Sequence, residues 1–166
     1  MSDDGSEQLN LASEREALVN FLDAQREGLM RKIDGLDDES ARRTPTASSL
    51  SLLGLVKHAA LWKRRWFQVV MAGRDQPGEW PEVKGSDADL TVGGDDTVAQ
   101  WVAYYRAQIE QSHAVVASMD LDRTSARTDI IACNLRYVLF HMIEETARHA
   151  GHADIIRETL DGSRGI

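Results

Sequence analysis

A single cysteine, Cys133, excludes any disulfide within the chain and fits a reducing, cytoplasmic setting. Ile130, Ile131 and Ala132 precede it and point to burial, which opposes thiolate formation, so a nucleophilic role for Cys133 is disfavoured. Proline is scarce, at three residues, so long helices are not interrupted. No apolar run approaches the ~20 residues of a membrane span. Positive charge is in deficit, with a formal net charge of −8. That argues against a general nucleic-acid binder, which needs a clustered Lys/Arg face, and no compact helix-turn-helix pattern is present. The local basic run of Lys57, Lys63, Arg64 and Arg65 is short and reads as a solvated helix face. Internal repeats and low-complexity tracts are both lacking.

What is present is helical periodicity. The acidic, polar stretch Met1 to Gln8 has the wrong chemistry for a signal peptide, and residues 1–10 read as a flexible leader to a single domain over 11–166. Ser13 followed by Glu16 forms a capping box, and Leu18, Phe21, Leu22, Leu29 and Ile33 then recur at helical spacing up to Gly35. Asp37 to Arg43 suits a short helical turn. Ser49 or Ser51 caps a second helix reaching Met71, with Leu52, Leu55, Val56, Ala59, Trp62, Trp66 and Val70 along it and Gly73 as its stop. Residues 74–96 show no strand pattern. A loop of that length in a small domain signals function or a missed element, and Trp80-Pro81 is placed to fold over an opening. Asp96 or Thr97 caps a third helix. Asn134 caps the last, which Gly162 ends and on which Leu135, Val138, Leu139, Met142, Ile143, Ala150, Ile155, Ile156 and Leu160 can pack inward. Four long helices imply an all-α, up-down four-helix bundle with a long loop between helices 2 and 3.

The last helix carries the chemistry. His141, Glu145, His149 and His152 fall within an arc of roughly 80° at ~100° per residue. Glu145 and His149 are four apart, so their side chains converge, as helical zinc ligands do. The best third donor in the sequence is His58, on the other apolar helix. Two imidazoles and one carboxylate leave a coordination position open, which is the pattern of a catalytic rather than a structural metal site. The donors suit Zn and also Ni, Co, Mn or Fe(II). Against this stand plainer alternatives: a satisfied core histidine at position 58 and a surface hydrogen bond between Glu145 and His149.

The stretches Ser51-Leu52-Leu53-Gly54-Leu55-Val56-Lys57-His58 and His141-Met142-Ile143-Glu144-Glu145-Thr146-Ala147-Arg148-His149-Ala150-Gly151-His152-Ala153-Asp154 resemble the DinB/YfiT-like metalloenzymes. Within that superfamily they resemble most the branch related to mycothiol-dependent maleylpyruvate isomerase and the mycothiol S-transferases. The resemblance extends over nearly the whole chain. It implies His58, Glu145 and His149 as metal ligands, with Glu145 standing where many superfamily members carry a histidine. It also implies His141, His152, Glu144, Arg148 and Trp62 as residues behind the ligands or in the pocket wall. A divalent metal, a low-molecular-weight thiol and a small electrophile are the implied cofactor and co-substrates. The expected activity is metal-assisted S-transfer. The alternatives are a metal-dependent hydrolase or isomerase, or a stress-associated, non-catalytic metal-binding bundle. Neither a nucleic acid nor a membrane is an expected partner, and a homodimer is compatible with the bundle.

Overall fold

The computed structural model describes residues 12–76 and 88–164. Residues 1–11, which include the leader, residues 77–87 with Trp80-Pro81, and the last two residues lie outside that range. Within it the chain forms α1 (Glu14–Ile33), the short α2 (Asp38–Arg42), α3 (Leu52–Lys63), α4 (Val98–Ala117) and α5 (Leu135–Asp161). No strand occurs among the described residues.

The helix ends follow the caps. The Ser13 side chain accepts from the Glu16 N–H, and the Glu16 carboxylate accepts from Ser13 N–H at 2.9 Å, closing the capping box. Ser51, not Ser49, caps α3; Thr97 caps α4 and Asn134 caps α5. Gly162 ends α5 in the left-handed region, at φ 78°, where a residue with a Cβ is strained.

The second helix departs from the sequence expectation. Its α geometry stops at Lys63, and Arg64–Met71 continues as a π-helix. Ala72 N–H bonds Phe67 O, five residues back, at 3.1 Å. Trp66, Phe67, Gln68, Val69, Val70 and Met71 are consecutive and all buried. No single 3.6-residue face accommodates such a run. The segment is enclosed on all sides, and Arg127 and Ala126 of the 118–134 connection donate to Val70 O and Met71 O.

Side-chain pairings give the helix directions. Arg136, starting α5, bonds Glu14, starting α1, at 2.6 Å, while Lys32 pairs with Asp154 at 2.8 Å near their far ends. These two helices are therefore parallel. Lys57 pairs with Asp96 at 3.0 Å and Arg74 bonds Gln111 at 2.7 Å, so α3 and α4 are parallel as well. His58 against His149 and Trp66 against His141 set α3 antiparallel to α5. Directions thus run up, down, down, up. Parallel neighbours α3 and α4 need a connection spanning the ~30 Å bundle, which accounts for the length of the 74–96 segment.

The core has two apolar clusters. One gathers Leu29, Ile33, Leu52, Leu55, Val56, Tyr105 and Ile156; the other gathers Leu22, Phe67, Val70, Val116, Leu135, Val138 and Leu139. Each fully buried Leu, Ile or Val contributes roughly 1.5–3 kcal/mol. Two residues expected inside are outside: Phe21 is 64% and Ile155 60% exposed. Each adjoins a buried residue, Leu22 and Ile156, and neighbours on a helix point ~100° apart, so only one of each pair reaches the core.

Candidate metal centre

His58 comes from the middle of α3, in a stretch whose neighbours Leu55, Val56, Ala59 and Ala60 are buried. Glu145 and His149 come from successive turns of α5. Antiparallel packing brings the three together, with ligand atoms all within 4.8 Å of one another. His149 Nε2 lies 3.5 Å from Glu145 Oε2. The His58 and His149 rings meet edge to face at 4.6 Å between centroids.

The residues fit a cation. Both ring nitrogens of His149 are buried and make no hydrogen bond. A buried imidazole is normally satisfied, and one left bare beside a carboxylate and a second imidazole is poised for coordination. Burial and the nearby His58 ring push the His149 pKa from 6.5 down to about 4, against the opposing pull of Glu145. The ring is neutral at pH 7 and keeps a free lone pair, as a metal ligand must.

His58 is held by a residue the sequence reading missed. Its Nδ1 lies 2.6 Å from Asp89 Oδ2, and the Trp62 indole N–H donates to the same oxygen. Asp89 is 5% exposed. Burial opposes its ionisation, but the hydrogen bonds from His58 and Trp62, with the charge of His58, outweigh that and hold its pKa below the usual value. The ionised carboxylate keeps a proton on Nδ1 and leaves Nε2 for the site, the usual support for a metal-bound histidine. Asp89 reaches this position because α3 carries Gly54. A Cβ there would lie 2.3 Å from Leu90 O, so only glycine lets the returning segment lie against the helix. Lys57 pins the same segment through Thr91 O at 2.9 Å and Asp96. The one signal in the sequence was the excessive length of 74–96.

The remaining candidates divide. The His152 ring lies 5.8 Å from that of His149, and its Nδ1 is buried without a partner. Trp62 flanks His58 at 5.8 Å and anchors Asp89. Arg148 pairs with Glu144 at 2.6 Å and approaches Glu145 at 3.5 Å. Glu144 is exposed and belongs to that surface pair. His141 sits two turns away from His149, at 4.6 Å from Trp66 and stacked with Tyr137 at 6.1 Å and 2°. It stands apart from the three grouped ligands. Arg157 donates to the carbonyls of Lys32 and Asp34, satisfying the end of α1. Burial raises the Cys133 pKa more than its hydrogen bond with Ser125 lowers it, which removes the thiolate.

Fold and site together define a helical bundle with a candidate two-histidine, one-carboxylate metal centre on the seam between antiparallel helices. The family model for mycothiol S-transferase matches residues 17–162, and the chain belongs to that family. Among solved structures, a conserved protein from Enterococcus faecalis shares the fold, with a TM-score of 0.65 and 16% identity over 92% of this chain and 99% of that one. No curated protein matches the chain.

Proposed function

We propose that the protein is a divalent-metal-dependent S-transferase that joins a low-molecular-weight thiol of the mycothiol type to a small electrophile. The reading rests on the convergence of His58, Glu145 and His149 within 4.8 Å, with His149 bare of any other partner. Family membership supports the choice of thiol. A bound divalent cation lowers the pKa of a thiol and so supplies a thiolate at neutral pH. His58 and His149 hold the cation through neutral nitrogens, and Glu145 adds the single negative charge. Asp89 and Trp62 fix the His58 ring before the metal arrives. Arg148, 54% exposed beside Glu145, is positioned to meet an anionic group of an incoming substrate. Zinc is the first expectation, and Ni, Co, Mn and Fe(II) fit the same donors.

The test is elemental analysis of purified protein, followed by thiol-conjugation assays against a panel of electrophiles. About one metal ion per chain, with turnover that disappears in His149→Ala, is the expected result. A protein that takes up no metal on incubation overturns the reading.

A further inference from the structure

The face that α1 and α5 turn away from the bundle is apolar. Phe21 of α1 is 64% exposed, and Phe140 and Ile155 of α5 are 57% and 60% exposed. Scattered singly, such residues carry no message. Here they share one surface. Glu14, Phe21, Gly28 and Lys32 recur at spacings of seven and four, so they form one stripe of α1. Glu14 and Lys32 bond α5, which puts Phe21 and Gly28 along that seam. The matching stripe of α5 is Arg136, Phe140, Ala147, Gly151 and Asp154, tied to α1 at both ends. Ala24, Ala147 and Gly151 are exposed, and a Cβ on Gly151 would meet nothing within 4 Å. The surface therefore has two bulky rings in one half and a flat floor of small residues in the other.

The two halves complement each other. The pairs Glu14–Arg136 and Lys32–Asp154 share an offset of 122 residues, so Ala24 stands level with Thr146. Phe21 and Gly28 lie three and four residues to either side of that level, and Phe140 and Gly151 six and five. Glu144 and Arg148 lie two residues to either side, and Tyr137 and Ile155 nine. A two-fold axis crossing the helices at Ala24 and Thr146 sets each of these residues over its opposite number in a second copy. Phe21 and Phe140 then cover Gly28 and Gly151, and Tyr137, 48% exposed, meets Ile155. Opposite charges also meet, because Glu144 faces Arg148; both are more than half exposed, and their internal 2.6 Å bridge stays intact. Two helices ~10 Å wide and ~30 Å long outline about 600 Å², of the order of the ~800 Å² per partner that a stable interface buries.

We propose that this face docks a second copy of the chain, with α1 antiparallel to α1 and α5 antiparallel to α5 across a two-fold axis. The shape and the charges of the surface both obey that one symmetry, which an unrelated partner would not require. His58 and His149 lie on the α3 side of α5, away from this face, so the inference does not depend on the function proposed for them.

The experiment is sedimentation equilibrium of the full-length chain over a range of micromolar concentrations. Wild-type protein is expected at twice the 18.5 kDa chain mass. Gly151→Gln places its side chain in open space in the single chain, so helix content by circular dichroism is unchanged, while the dimer dissociation constant rises at least ~100-fold. Phe140→Glu has the same effect by carrying a charge into the contact. Glu144→Arg sets like charges together and weakens the dimer several-fold, and adding Arg148→Glu restores it. Wild-type protein that stays at the mass of one chain overturns the proposal and leaves the face to some other partner. A dimer as tight in Gly151→Gln and Phe140→Glu as in wild type overturns it too, since the interface then lies elsewhere. So does a Glu144→Arg defect that Arg148→Glu fails to repair.

Discussion

Among the described residues three histidines lie beside a carboxylate, and two of them, His113 and His149, have opposite fates. His113 of α4 meets Asp23 at 2.8 Å with its side chain 38% exposed, and its Nε2 donates to that carboxylate. His149 of α5 meets Glu145 at 3.5 Å with its side chain 13% exposed, and neither nitrogen has a hydrogen-bond partner. The first pair is closed. The second is open, and the missing partner is what a cation would supply. A histidine–carboxylate pair is therefore read as a site by what it leaves unsatisfied, not by its spacing.

The sharpest break of this contrast is His149→Ala. It removes an open nitrogen and should lower metal content and conjugation activity by at least ~100-fold, read by elemental analysis and steady-state assay. His113→Ala in the same assays should leave both unchanged and cost no more than ~1 kcal/mol of stability by denaturant unfolding. Next in size is Asp89→Asn. The loss of the ionised partner frees the His58 ring and should weaken metal affinity about 10–100-fold in a chelator competition. If affinity is unaltered, the support role of Asp89 is wrong.

Gly54→Ala is a smaller perturbation of the same contact. The new Cβ meets backbone at Leu90, so the returning segment must shift, at roughly 1–3 kcal/mol of stability, and metal affinity should fall in step. The smallest effect is on pH. His149 has its pKa lowered in the folded metal-free protein, from 6.5 to about 4, while the unfolded chain takes up a proton near the ordinary value. Between those values the unfolded state binds more protons, so stability of the metal-free protein falls as pH drops from 6.5 towards 4. Tm measured across that window should decline, and His149→Ala should flatten the decline.

Much of the architecture is readable from local chemistry. The Ser13/Glu16 box, the Thr97 and Asn134 caps and the Gly162 stop act over three or four residues, so their spacing predicts the helix ends. The pairing of Glu145 with His149 is equally local, since one helix fixes both. The π-helical stretch is not local: six buried residues in a row arise because three helices and the 118–134 connection enclose it. The burial of Lys63 has the same origin. Its basic neighbours suggested a wet face, but α1 and α4 close over that side of α3.

Sequence alone determined which residues form helices, and which face of α5 carries histidine and carboxylate, because these depend on caps and a fixed angular step. Tertiary structure decided what those residues meet. It brought His58 across from a helix more than eighty positions away. It returned Asp89 to His58 over a glycine, and it buried Lys63 against the Tyr105 ring. Each is a contact between distant segments, set by the packing of whole helices rather than by any run of neighbouring residues.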